Sequence, residues 1–384
     1  MRIALVGCGF VADYYASTLP NHPELELVGV MDRNAGRAAQ FANYWKIPTV
    51  YPTLAELLDD SRIELVVNLT NPSSHFEVSR TCLLSGRHVY SEKPLATDFS
   101  DAEELVRLAE TMGLHLSSAP CNVLGEAAQT TWKALREGAI GTIRLAYAEL
   151  DDGLIHKMRY KKWVNPSGAP WPYKDEFEVG CTLEHAGYYV TWLATFFGPA
   201  RSITSFAGCQ IPDKGTDVPL DELAPDFAVG CIQFECGIVV RLTCSIIAPH
   251  EHSLRVFGDE GVLTVEECWD YGSPVYIKRR TQLSNWAEKF KLLSALPGLA
   301  PRRYPLVRRS NFEHRYKATH AMDFSRGVAE LAAAVRERRP SRLSARFSLH
   351  VNEIVLAMQY PDRMGHHRIL TSTFDPPDPM PWAE

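Results

Sequence analysis

The sequence predicts an α/β fold, with a doubly wound parallel sheet at the N-terminus followed by an α+β domain on an open, mainly antiparallel sheet. Three observations carry this. At 384 residues the chain exceeds the roughly 250–300 residues at which single cores stop growing, so two domains are expected. Its first third alternates short apolar strands with helical patterns, and the region after it is a series of β-rich runs broken by turn residues. With 46% hydrophobic and 22% charged residues, the composition is that of a globular protein.

In the first domain, expected to span 1–121, strands fall at 2–7, 26–31, 49–51, 64–69, 88–91 and 114–117. Helical patterns lie between them, starting at Val11, His75 and Ser100 among others. Strand, helix, strand in this order requires right-handed crossovers and therefore parallel pairing. A connecting helix over 125–137 opens the second domain, 122–384. Strands follow at 142–150, 202–207, 227–234, 238–246, 253–257, 262–265 and 274–278. Turns at Glu235-Cys236-Gly237 and at Asp259-Glu260-Gly261 make hairpins of them. One face of this sheet is expected to carry helices and the other to form subunit contacts, in a homodimer or homotetramer.

The first crossover contains Gly7-Cys8-Gly9-Phe10-Val11-Ala12, a G-x-G-x-x-A fingerprint. Gly7 permits the tight turn, Gly9 lets the backbone approach a pyrophosphate, and Ala12 keeps helix and strand close, so a diphosphate rests on the helix start with Phe10 and Val11 beside it. Asp32, twenty residues after Ala12 at the end of the second strand, can hold the adenosine ribose hydroxyls. Turn, helix and acid together specify a Rossmann domain binding NAD. Arg33, next to Asp32, could tolerate the extra phosphate of NADP.

The remaining composition excludes several classes. The chain starts directly on a strand with no apolar leader, and no apolar run reaches the ~20 residues of a membrane span, so a cytoplasmic protein is expected. Nine scattered cysteines without a C-x-x-C pair read as reduced thiols, not as a disulfide framework or zinc site. A formal charge of −6 argues against nucleic acid. The segment 278–317 nevertheless holds eleven Lys/Arg against two acids, and 286–293 has the pattern of a basic amphipathic helix. These read either as an anion contact, favouring an anionic substrate, or as solvated loop and subunit-contact charge. His250-Glu251-His252 is the spacing of two like-facing imidazoles at a strand end, and with no carboxylate or cysteine at ligand spacing no metal is assigned.

Behind the glycine turn, Asn71-Pro72-Ser73-Ser74-His75 follows the fourth strand and Ser91-Glu92-Lys93-Pro94-Leu95 closes the fifth. With them, Leu135-Arg136-Glu137-Gly138, Phe257-Gly258-Asp259-Glu260-Gly261 and Asp323-Phe324-Ser325-Arg326-Gly327 extend the pattern along nearly the whole chain. Together these resemble the Gfo/Idh/MocA family, of the glucose–fructose oxidoreductase and inositol dehydrogenase type. The resemblance implies hydride transfer between nicotinamide and a secondary alcohol or ketone of a sugar, inositol or nucleotide-sugar. It places Asn71, Pro72, His75 and Glu92 with the cofactor, and Lys93 between nicotinamide and substrate. A cation there is chemically reasonable, because it stabilises the alkoxide-like oxygen that hydride transfer develops. Lys93-Pro94 is also a candidate cis peptide.

The family's second signature is a helix with Asp-x-Gly-x-His. Here Glu184-His185-Ala186-Gly187-Tyr188 stands at that place, so Glu184 takes the aspartate position and Tyr188 that of the histidine. On an α-helix, positions i and i+4 share a face, which pairs Glu184 with Tyr188 and sends His185 to the neighbouring face with Tyr189. A lysine ammonium close to Tyr188 is expected to favour its phenolate. Lys93 and Tyr188 are then the proton-handling pair, with Glu184 orienting and His185 as the competing candidate. Trp163, Lys174 and Asn122 are further substrate candidates. Two other readings share this sequence: a glycosidase working through transient oxidation by retained NAD, and a non-catalytic NAD-binding regulator.

Overall fold

The computed structural model describes residues 1–280, 300–315 and 320–384. In the first part β1 (Arg2–Val6), α1 (Ala12–Thr18), β2 (Glu26–Met31), α2 (Ala35–Trp45), β3 (Val50–Tyr51), α3 (Leu54–Asp59) and β4 (Leu65–Asn68) alternate, followed by α4 (His75–Leu84), β5 (His88–Ser91), α5 (Phe99–Met112) and β6 (Leu116–Ser118). The six strands are parallel in the order β3-β2-β1-β4-β5-β6. The chain therefore changes direction between β1 and β4, and the crevice beyond their carboxyl ends is where this topology binds ligands. Leu65, Val66 and Val67 are fully buried, as a strand covered on both faces requires.

The second part contains α6 (Glu126–Arg136), β7 (Ile143–Asp151), α7 (Tyr173–Val179), α8 (Gly187–Phe197), β8 (Ala200–Gly208), β9 (Phe227–Phe234), β10 (Val239–Ser245), β11 (Leu254–Gly258), β12 (Gly261–Val265), β13 (Val275–Arg279) and β14 (Arg302–Tyr304). The chain then runs through α9 (Ser325–Glu337), α10 (Ala345–Gln359), α11 (Pro361–Met364) and β15 (His367–Ile369). The sheet is open, in the order β14-β13-β12-β11-β7-β10-β9-β8-β15, with β7 and β10 as its parallel pair. Both predicted hairpins are present, β9 with β10 and β11 with β12. Alternation along the strands buries Ala146, Ala148, Leu242 and Ile232 in one apolar cluster with residues of α8 and α10.

The last helices return to the first sheet. The Ser325 amide donates to Thr18 Oγ1 at 3.1 Å, and a Cβ on Gly327 would lie 2.3 Å from Tyr90 Oη, so α9 packs directly on β5. Ile3, Leu5 and Val67 share one apolar cluster with residues of the second sheet. Among the described residues no helix is long and apolar enough to cross a membrane. All nine cysteines are free thiols. The amphipathic stretch 286–293 and part of the basic segment 278–317 lie outside the described residues. Within the described part, Arg308 binds Glu126 and covers the Trp382 ring at 3.7 Å, so that cation is a packing contact.

Candidate functional site

The carboxyl ends of β1, β2 and β4 open into a cleft of about 1000 Å³ that runs from the glycine turn to the second sheet. Gly7 has φ +99°, and a Cβ there would sit 2.5 Å from the Leu69 carbonyl oxygen, so glycine is needed to close the turn. A Cβ on Gly9 would meet nothing within 4 Å, which leaves its backbone facing open space that a pyrophosphate can enter. The Asp32 carboxylate accepts from the Cys8 and Asn34 amides, each at 2.8 Å, and is thereby fixed at the rim. Gly7, Gly9, Phe10, Val11, Asp32 and Arg33 line the cleft, with Arg37 beside them, a cation the sequence reading did not single out. Asn71, Pro72, Glu92 and Lys93 line it too. These residues fit a dinucleotide.

His75 does not join them. It is fully buried, its ring nitrogens 2.6 Å from the Pro94 carbonyl and 2.9 Å from that of Thr70, so it braces the loops behind the cleft. Asn122 is corrected likewise. Its amide donates to the carbonyls of Tyr188 (3.1 Å) and Cys268 (3.2 Å) and its oxygen accepts from Thr191, which leaves it inside the protein beneath α8.

Beyond the crevice, the Lys93 ammonium, two residues after β5, forms an ion pair with the Glu184 carboxylate. The Lys93-Pro94 peptide is cis. Burial works against the Lys93 charge, but Glu184 and Glu92 outweigh it and hold the ammonium above its ordinary pKa. Burial likewise opposes the Glu184 carboxylate, and Lys93 reverses that, holding its pKa low. Both groups are therefore charged at neutral pH.

Glu184 lies in a π-helical turn, Thr182–Ala186, that runs into α8. The wider turn changes the angular phase, so Glu184, His185 and Tyr188 all line the cleft, whereas a straight α-helix would have turned His185 aside. Tyr189 is instead buried, its hydroxyl donating to the His252 carbonyl. His185 Nε2 sits 2.9 Å from Glu176 Oε1. Although burial disfavours its charge, Glu176 and Asp152 raise His185 to about 9. The expected phenolate at Tyr188 is not supported. Burial, with the Glu92 charge added, pushes that phenol well above its ordinary value. Tyr188 is thus a neutral hydroxyl.

A strap formed by residues 152–172 crosses the glycine turn. Asn165 Nδ2 donates to Asp13 Oδ2 at 2.6 Å, and Ser167 donates to the same carboxylate from its amide (3.0 Å) and hydroxyl (2.6 Å). Trp45 Nε1 completes the set at 3.2 Å, around a side chain with no exposed surface. Trp163 and Trp171 on this strap pack with ring centroids 4.9 Å apart and line the cleft. Lys174 is at its rim, half exposed and 3.6 Å from Asp217. From the opposite wall Asn71 Nδ2 reaches Asp175 Oδ2 at 2.5 Å, a carboxyl that burial pushes up to about 6. Neither Asp13 nor Asp175 has a sequence signal, since their partners are far along the chain.

The far wall overturns one expectation. Carboxylates do complete the H-x-H pair: Asp152, at the end of β7, and Glu267, after β12, both meet His250 and His252. Strand pairing supplies what sequence spacing did not. Trp269 and His320 stack beside them, ring centroids 4.2 Å apart.

Comparisons with known proteins bear on this geometry. Residues 1–119 match the model of an oxidoreductase family with an NAD-binding Rossmann fold, and residues 128–264 match the GFO/IDH/MocA C-terminal domain. A trans-1,2-dihydrobenzene-1,2-diol dehydrogenase from Mus musculus is 27% identical over 271 residues, covering 70% of this chain and 75% of that protein. An oxidoreductase structure from Agrobacterium radiobacter, in complex with NAD+, L-tartaric acid and magnesium, has a TM-score of 0.75 at 15% identity, covering 96% of this chain and 98% of that one. A 3-ketoreductase from Actinomadura kijaniata, in complex with TDP-benzene and NADP, has a TM-score of 0.67 at 19% identity, covering 93% and 96%. At these identities the structures show a shared fold.

Proposed function

This chain belongs to the GFO/IDH/MocA oxidoreductase family, and from that premise we propose that it interconverts a ring-borne secondary alcohol and its ketone on a sugar, inositol, nucleotide-sugar or similar cyclic polyol. It is an NAD(P)-dependent oxidoreductase. The observation that carries the substrate reading is the Lys93–Glu184 ion pair in the cleft that starts at the glycine turn, with Trp163 and Trp171 on its edge. Aromatic faces of this kind suit the C–H surface of a ring. The mouse relative is named for a cyclic diol and the Actinomadura enzyme for a ketone, which agrees with that class.

A nicotinamide held along this cleft by Gly7, Gly9 and Asp32 would supply the hydride transfer. Asp32 accepts the ribose hydroxyls and disfavours a phosphate in their place, so NAD is the cofactor of choice, with Arg33 and Arg37 the groups that would admit NADP. Lys93 holds its ammonium at the reacting oxygen and stabilises the charge that grows there. Glu184 fixes that ammonium in position. Tyr188, a neutral hydroxyl in the same cleft, donates a hydrogen bond to that oxygen. The alkoxide formed by ketone reduction takes its proton from the Lys93 ammonium, which solvent then reprotonates, and His185 is anchored on Glu176. Trp163 and, at the rim, Lys174 take the distal hydroxyls or anion. Purified protein screened with NAD and NADP against sugars, inositols, cyclic diols and nucleotide-sugars tests this by the absorbance of reduced nicotinamide. Turnover confined to acyclic alcohols would contradict it.

A second reading has one observation behind it. The strap locked onto Asp13 suits a retained dinucleotide, as a glycosidase using transient oxidation needs. Such an enzyme releases free sugar with no net change in that absorbance. The subunit contact is assigned to the outer face of the second sheet, where the Arg241 guanidinium covers Tyr147 at 4.4 Å. Light scattering should find a dimer or tetramer, and Arg241→Glu should dissociate it.

A further inference from the structure

We propose that Asp152, His250 and His252 form a site for one divalent transition-metal ion of the zinc class, on the cleft wall formed by the second sheet. One ligand atom from each lies within 4.8 Å of the other two. Asp152 Oδ1 is 3.8 Å from His252 Nε2 and 3.8 Å from His250 Nδ1, a little wider than the edges of a filled coordination shell.

The orientation of both rings is set from behind. Glu267 Oε1 lies 2.9 Å from His252 Nδ1, and Glu267 Oε2 lies 3.2 Å from His250 Nε2. The Trp269 amide donates to Oε1 at 2.8 Å and fixes that carboxylate in turn. A carboxylate only accepts, so a neutral His252 gives Glu267 its proton and turns Nε2, as a lone pair, toward Asp152. His250, which hydrogen-bonds both Glu267 and Asp152, gives up its Asp152-facing proton when a metal takes that place. Carboxylate-oriented imidazole is the arrangement that metal-binding histidines show.

A second observation points the same way. The His252 side chain has no exposed surface, and its Nε2 is buried without a hydrogen-bond partner. His252 Nε2, His250 Nδ1 and Asp152 Oδ1 thus converge on one space, which a metal ion enters by displacing the proton between His250 and Asp152. Two imidazoles with one carboxylate suit zinc, cobalt, nickel or iron better than magnesium or calcium. Half-exposed His250 gives the ion a way in, and Asp152, His250 and Glu267 line the cleft, so a free coordination position faces the substrate space. The ligand it takes there is an oxygen donor, a vicinal diol or a hydroxycarboxylate. The site stands whichever alcohol is oxidised.

The full chain, stripped with chelator, is titrated with Co2+ and then Zn2+ by visible spectroscopy and calorimetry. One Co2+ per chain is expected, with nitrogen and oxygen ligand-field bands, displaced by Zn2+. His250→Ala, at the exposed position, and Asp152→Asn should each weaken binding at least about tenfold, and Glu267→Gln by about 10–100-fold. No stoichiometric binding would mean that protons fill the space and would overturn the proposal. So would thiolate-to-cobalt bands, which move the ion to a cysteine, or affinity unchanged in both His250→Ala and Asp152→Asn.

Discussion

Lys93 and Glu184 meet as an ion pair although they stand 91 residues apart, one at the end of β5 and the other in the π-helical turn that precedes α8. Neither is free to solvent, with side chains 19% and 14% exposed, so each fixes the charge of the other. Glu184→Gln removes that hold. Burial then lowers the lysine pKa, and turnover should fall about 10–100-fold and decline further as pH rises, while dinucleotide affinity is unchanged. A Gln variant with the wild-type rate and pH profile would show that the pair is only structural.

His185 should titrate near 9 in the folded chain, because Glu176, with Asp152 nearby, outweighs burial and the Lys93 charge. Its folded pKa is raised, so the stability it contributes is complete below about 6.5 and is lost as pH rises through about 9, on the order of 3 kcal/mol at most. In Glu176→Gln the ring should titrate lower than in the wild type, since only Asp152 then opposes burial and the Lys93 charge. Histidine NMR of the two proteins reads this directly.

Asp32→Ser should reverse the cofactor preference. Losing a charge-assisted contact to the ribose costs roughly 1.5–3 kcal/mol, so kcat/KM with NAD should fall about tenfold or more. NADP should gain, with Arg33 and Arg37 next to the vacated position. Equal losses with both dinucleotides would remove Asp32 from the selective contact.

Asp13→Ala removes the acceptor of the Ser167 amide and of Trp45 Nε1, while Asn165 Nδ2 keeps the Gly9 and Phe10 carbonyls and the Ser167 hydroxyl keeps Asn165 Oδ1. Each buried orphan costs about 1–3 kcal/mol, so the melting temperature should drop and limited proteolysis should cut within 152–172. Added NAD should slow that cleavage. If the strap stays resistant in the variant, its anchor lies elsewhere.

What the sequence made legible was what neighbouring residues decide. Gly7, Gly9 and Asp32 sit in one crossover unit, and the hairpin turns at Glu235–Gly237 and Asp259–Gly261 are local. That Glu184 and Tyr188 share a face was readable from their i, i+4 spacing, but the π-turn that adds His185 to the cleft was not, because one extra residue in a turn leaves no periodic mark. Asp152 and Glu267 were missed for another reason: β7, β11 and β12 become neighbours only through sheet pairing, so the carboxylates reach His250 and His252 from a distance along the chain. His75 and Asn122 look polar and available in sequence, yet backbone carbonyls consume them. The neutral Tyr188 likewise follows from burial beside Glu92, which only the folded chain creates.

The most direct measurement is hydride transfer by Lys93→Met, followed in a single turnover with the best substrate of the cofactor screen. If the ammonium stabilises the reacting oxygen, NAD binding stays within about twofold of wild type while the transfer rate falls by roughly 10²–10⁴. A variant that transfers hydride at the wild-type rate would contradict the account.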